Sequence, residues 1–314
     1  MRMRLFSAAI VLIISVPFVA HASAVLLDAK GSVSVTLLGN KPSPAKIGLE
    51  LPDGSVLKVG KGGKASVMLD TGAVDEITGE ASYTVGPKAK SSKRTELGNG
   101  VRVAMRELSA GGPNPTVHGM VKEAGGPASK MPSLDAFGAG GLRAIYPIGT
   151  AIRLGPTISF RWEGAQNVKW PEPVIVIDDA SQKHVAVKAI RPGSSEYSAS
   201  PKELGLAAGG RYTWYLASNK GGVAGKTSRF EFTTISQADE RALDTDIAKA
   251  KSLEMSQDGK ELLAAQLFYQ RGMYDDMVRK LAPLWQRTRA PFVGKLLKYG
   301  YSQMGRGKEA AGFQ

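Results

Sequence analysis

The chain of 314 residues contains no cysteine, which excludes a disulfide framework, a lipid attached through an N-terminal cysteine, and thiolate metal sites. Histidine is almost as scarce. His21 sits in the leader-like start, so His118 and His184 remain, and neither has a second histidine at metal-ligand spacing. No G-x-S-x-G elbow, phosphate loop, dinucleotide fingerprint or D-x-D-x-[DN]-G calcium loop occurs, although the chain holds 37 glycines. Asp178-Asp179 does not repair this, because adjacent side chains of an extended segment point to opposite sides. The sequence therefore predicts no catalytic residue, no metal and no cofactor, and a protein that is not an enzyme.

Long hydrophobic runs are also missing, with one exception. Leu5 to Ala20 is uncharged and apolar and follows Arg2 and Arg4, the arrangement of a signal peptide. It contains Pro17 and falls short of the about 20 residues that a spanning helix needs. Ala20-His21-Ala22 offers a small-residue cleavage site before Ser23, and Ala22-Ser23-Ala24 offers a second register that would release Val25. The expectation is a signal peptide over 1–22 and a periplasmic protein that meets the membrane only through the signal before cleavage.

Charge is unbalanced. The formal net charge is +13, which favours acidic partners; outside the cytoplasm these are anionic lipids, polyanionic glycans or acidic proteins rather than nucleic acid. Lys88, Lys90, Lys93 and Arg94 form the densest basic cluster, flanked by serines. Two readings stand for it: a contact strip for an anionic partner, or a solvated loop.

What the chain does have is alternation. Val33, Val35 and Leu37, then Val56, then Val67 and Leu69 fall at period two between the corners Asp53-Gly54, Gly62-Gly63 and Thr71-Gly72, as half-buried strands joined by tight turns do. Gly31-Ser32-Val33, Gly48-Leu49-Glu50-Leu51, Gly62 to Leu69 and Asp70-Thr71-Gly72 together resemble the FecR domain, a periplasmic β-rich module. Gly100 to Met105 is similar to the family's following G-x-V-x-V strand, whereas its Arg-Gly-Thr-like turn is missing. The resemblance places a FecR-like β domain at 23–108, with an alternative boundary at 126. It implies kinship with envelope sensors that relay a signal to a sigma-factor system. Those sensors carry a cytoplasmic segment before their membrane span, and only four residues precede the apolar core here. Gly111-Gly112-Pro113 and Gly125-Gly126-Pro127 mark a linker over 109–141.

Over 142–235 the predicted strands are Thr157 to Trp162, Val174 to Asp178, Val185 to Ile190, Arg211 to Ser218 and Ser228 to Thr234, at sandwich-like intervals. Phe160 and Trp162, like Tyr212 and Trp214, are two apart and share one face of a strand. These pairs with Phe230 and Phe232 resemble a fibronectin type III or immunoglobulin-like domain. Core packing is the expected use of the rings, against a sugar-stacking platform as the other reading. Trp170, in the loop-like Lys169-Trp170-Pro171, is the candidate for an exposed aromatic contact.

From 236 to 314 the period changes to that of helices. Ser236 is the expected N-cap with Asp239 at N3, and Leu243, Ile247, Ala250 and Leu253 follow at helical spacing. Asp258-Gly259 reads as a break, Leu262 to Tyr269 as the next helix, Leu281 and Leu284 as part of its partner, and Pro291 as that partner's end. Gln270 to Asp276 matches Gln303 to Glu309 at an offset of 33, close to the tetratricopeptide period, so the tail resembles a tetratricopeptide-like hairpin. One such hairpin cannot bury its own face, so it is expected to dock on the sandwich, on another chain, or on the helix preceding it.

The fold class is thus mainly β with an α-helical C-terminus: a FecR-like β domain, a β-sandwich, then helical hairpins. The functional expectation is an exported, non-catalytic binding or scaffold protein contacting another envelope protein or peptidoglycan. A FecR-like envelope sensor is the alternative, and a cell-wall glycan hydrolase ranks third.

Overall fold

A computed structural model describes residues 22–86, 89–97, 143–164, 172–218 and 227–313. The chain is mainly β with a helical C-terminus, as expected. The linker at 109–141 lies outside the described residues.

The first β module has two sheets. One runs β4-β1-β6-β7-β9, where β1 is Ala22–Lys30, β4 Glu50–Pro52, β6 Lys64–Leu69, β7 Ala73–Thr78 and β9 Lys93–Glu96, every pair antiparallel. The other runs β3-β2-β5-β8, with β2 Val33–Thr36, β3 Ser43–Pro44, β5 Val56–Val59 and β8 Ala81–Thr84. Period-two alternation sends Ala24, Leu26, Val67, Leu69 and Ile77 into the space shared with Val35, Leu57 and Tyr83 of the second sheet.

The opposite face of the first sheet is equally apolar. Val25, Leu27, Met68 and Val74, with Leu97 just past β9, project away from the second sheet into a core shared with the C-terminal helices. The run Ala24-Val25-Leu26-Leu27 is therefore buried at every position. Continuous apolar runs of this kind mark strands covered on both sides.

The second module is a sandwich. A three-stranded sheet, β10 Arg143–Tyr146, β12 Ile158–Glu163 and β15 Glu196–Ala199, faces a five-stranded one ordered β11-β17-β16-β13-β14. In the latter β11 is Ala151–Ile152, β13 Pro173–Asp179, β14 His184–Ala189, β16 Arg211–Ser218 and β17 Phe230–Thr234. The five predicted strands are present within two residues at each end; β10, β11 and β15, too short for a periodic signal, were not anticipated. Phe160 packs edge-on to Trp214 at 5.3 Å and to Phe232 at 5.8 Å, and Tyr212 stacks on Phe232 at 5.5 Å. The two indoles stay satisfied while buried: Trp214 Nε1 donates to the Pro147 carbonyl at 2.6 Å and Trp162 Nε1 to that of Ser194 at 2.7 Å.

Helices follow: α1 Gln237–Ser252, α2 Gln257–Gln270, α3 Tyr274–Thr288, α4 Pro291–Gln303 and α5 Gly307–Ala311. Ser236 caps α1 as predicted, its hydroxyl accepting from Asp239 N. The offset of 33 is a structural repeat. Met273 N donates to Phe268 O and Gly272 N to Tyr269 O, while Arg306 N donates to Tyr301 O and Gly305 N to Ser302 O. The same Schellman-type closure thus ends α2 and α4, and it needs a left-handed residue, supplied by Gly272 at φ 67° and Gly305 at φ 65°.

Two predicted punctuation marks are corrected. Pro291 does not end a helix; α3 stops at Thr288 with Arg289 left-handed, and Pro291 opens α4, where its missing N–H has no bond to lose. Asp258-Gly259 is not a break either. The break is Leu253 to Ser256, Ser256 caps α2, and Gly259 lies inside its first turn. Glycine is required there by contact, since a Cβ on Gly259 would sit 2.7 Å from the Leu27 carbonyl oxygen of β1.

The helical layer docks chiefly on the first β module, a seat not among those anticipated, and also touches the sandwich. Asp28 of β1 accepts from Ser256 N at 2.9 Å, placing a carboxylate at the N-terminus of α2. Lys295 of α4 pairs with Glu50 of β4 at 2.6 Å. Toward the sandwich, Ala151 N donates to the Gly272 carbonyl at 2.8 Å, and Arg143 pairs with Glu309 at 3.1 Å. Burying one side chain such as Leu27 contributes about 1.5–3 kcal/mol, so the five on this face amount to on the order of 10 kcal/mol, comparable with a domain's whole net stability. The tail is a third layer of the fold.

Replacing a helical glycine by alanine ordinarily stabilises, by up to about 1 kcal/mol. Here Gly259→Ala is expected to destabilise by about 1–3 kcal/mol in urea unfolding, because the backbone of β1 must yield. Unchanged or increased stability would contradict the seating of α2 on β1.

Candidate functional site

The basic cluster divides once its strand is placed. Lys93 and Arg94 lie on β9, and neighbours on a strand face opposite ways. Arg94 reaches the fully buried Asp75 of β7 in a two-pronged contact, Nε to Oδ1 at 2.6 Å and Nη2 to Oδ2 at 2.7 Å. Tyr83 donates its hydroxyl to the same carboxylate at 2.9 Å, and burial, reinforced by Asp75, pushes that phenol well above its ordinary range. Arg94 is accordingly committed to Asp75, although its side chain remains partly exposed. Lys90 and Lys93 are exposed; Lys88 lies outside the described residues.

Lys93 belongs to a different group. It sits opposite Glu76 across the β7–β9 pair, and Lys30, at the end of β1, sits opposite Lys64, at the start of β6. Opposed residues share a face, so Lys30, Lys64 and Lys93 project from the end of one sheet on the side the helices cover. The Lys64 ammonium lies 3.5 Å from Glu76 and 3.1 Å from Glu254, a residue of the turn between α1 and α2. The Glu254 carboxyl is held below the usual carboxylate range, first by its hydrogen bond to Lys64 and then by the charges of Lys64, Lys93 and Lys30. On the two helices that flank the Glu254 turn, the Lys260 ammonium donates to the Lys251 carbonyl at 2.8 Å.

On the outer face of the five-stranded sheet, the buried Asp178 holds His184 through Nδ1 and Arg229 at 3.3 Å, and the Arg229 guanidinium lies 5.2 Å over the Tyr215 ring. Asp179 turns the other way, as its position predicts. It accepts from Ser181 N, Ser181 Oγ and Lys183 N, closing the turn to β14 and holding its own carboxyl below the usual range.

A regularity links these clusters. Among the described residues, every buried charged side chain is acidic: Asp28, Asp75, Glu76, Asp178, Asp246 and Asp275. These six carboxylates are inside, other carboxylates such as Asp244 and Glu254 are exposed, and the cations stay at or near the surface.

Of the other predicted positions, Ala20 and Trp170 lie outside the described residues, while Ala22 and Ser23 open β1. Phe160, Trp162, Tyr212 and Trp214 are core residues rather than a sugar platform. Sequence reasoning missed Lys30 and Lys64 because each flanks a glycine corner and reads as an ordinary turn charge. Glu254, the carboxylate that meets Lys64, is 190 positions away in the chain.

Arg94→Ala leaves the Asp75 carboxylate buried beside a single hydroxyl donor. The expected loss is about 3 kcal/mol in urea unfolding, because an abandoned buried charge forfeits its compensation. Lys90→Ala, an exposed change in the same segment, should move stability by less than about 0.5 kcal/mol.

No protein-family model matches the chain and no curated protein matches it, so a reading of its function rests on this geometry.

Proposed function

We propose that the protein is an exported, non-catalytic scaffold of the bacterial cell envelope that binds acidic surfaces of other envelope components. The observation that carries this reading is the formal net charge of +13, with every buried charged side chain among the described residues acidic, on two β modules fastened by one helical layer. A fastened assembly holds its outer faces in constant relation, which suits simultaneous contact with more than one partner. The basic exterior steers acidic partners toward it through a field that salt screens.

Proximity labelling of the full chain in the periplasm should enrich a small, reproducible set of envelope proteins. Binding of the purified protein to that set should fall steeply between 0.1 and about 1 M salt, as the screening length shrinks from about 10 Å to about 3 Å. Turnover of purified peptidoglycan, or labelling indistinguishable from an unrelated exported protein, would overturn the proposal.

Export carries its own test. Cleavage after Ala22 leaves β1 intact from Ser23 onward, whereas cleavage after Ala24 removes a fully buried core residue that pairs with both Leu51 and Leu69. Mass spectrometry of the periplasmic protein should find Ser23 at its N-terminus; a chain beginning at Val25 would contradict this.

A further inference from the structure

Lys30 and Lys64 stand directly opposite each other on neighbouring antiparallel strands. Like charges so placed repel, and an anion between or above them relieves the repulsion. Lys64 is the fixed member, with a side chain only 15% exposed and bracketed by Glu76 and Glu254. Lys30 and Lys93 are exposed, and among the described residues neither has a carboxylate within ion-pair distance. Two further carboxylates at this corner are already engaged: Glu76 is buried against Lys64, and Asp28 accepts from Ser256 N. The third carboxylate is Glu254, which pairs with Lys64; its side chain is 87% exposed and it approaches from a turn rather than from a packed element.

We propose that Lys30, Lys64 and Lys93 form a docking cradle for an acidic segment of a partner protein, and that Glu254 occupies it in the free protein as an internal competitor. The inference rests on the scaffold reading and assigns it a contact point. A peptide is favoured over a membrane surface by the occupant itself, a carboxylate carried on an irregular stretch of backbone. The spacing agrees: adjacent strands are about 4.8 Å apart, so the lysines on β1, β6 and β9 span about 14 Å, a distance that alternate carboxylates of a short extended peptide cover.

The probe is a fluorescent deca-glutamate peptide titrated into the full-length mature protein at low salt. Glu254→Gln should tighten its binding by about two- to fivefold, the scale of one exposed ion pair. Lys30→Gln combined with Lys93→Gln should weaken it by about tenfold and abolish the gain from Glu254→Gln. Lys183→Gln in the turn before β14, combined with Lys188→Gln on β14, should leave binding unchanged. All of these residues are exposed except the half-buried Lys188, and coincident urea transitions will show that the variants fold. Peptide binding indifferent to both Glu254→Gln and the Lys30/Lys93 pair overturns the cradle, and so does a Glu254→Gln gain seen with phosphatidylglycerol vesicles but not with peptide. If the labelled envelope partners persist in the Lys30/Lys93 variant while the peptide fails to bind, the cradle falls and the scaffold reading stands.

Discussion

The constraint on which the rest of the structure depends is that the sheet centred on β1 and β6 is apolar on both faces. One face is satisfied by the companion sheet through Leu26, Val67 and Ile77; the other, through Leu27, Met68 and Val74, needs a cover that the first module does not contain. The C-terminal helices provide it. Their docking brings the end of the chain back to its beginning and fixes where the sandwich, tied to the same helices through Ala151 and Gly272, must sit. A helical hairpin that cannot bury its own face and a sheet with one face too many satisfy each other.

Buried charge follows the same logic of distant partners. Asp28 meets the start of α2, Asp75 meets Arg94, Asp178 meets Arg229 and Asp246 meets Arg271. Such pairs are near break-even in stability against an apolar filling, because desolvation offsets attraction. Their effect is to penalise any packing that separates the partners. At the corner of Lys30, Lys64 and Lys93 three strands bring lysines together, and of these Lys64 is the one paired with carboxylates.

Legibility in the sequence followed the range of the interaction involved. The alternating strands, the paired aromatics of β12 and β16, the Ser236 cap and the repeat at an offset of 33 were readable because each depends on neighbours a few residues away. Gly259 was misread because its environment is a carbonyl on β1, and glycine in a helix looks like a break to any local rule. Pro291 was misread because proline is compatible with both an ending and a beginning. Arg94 read as one charge among four, since nothing nearby in sequence reveals that Asp75 is buried across the strand from it.

What the sequence by itself determined was the kind of each piece: mainly β, then helical, with large rings packed inside and an exterior rich in cations. Period and composition carry that information because they reflect which face of a single element avoids water. Only the tertiary structure decided which piece covers which, that the tail seats on β1, and that Glu254 meets lysines from the far end of the chain. Those outcomes depend on the match between two surfaces, and a match belongs to neither segment read alone.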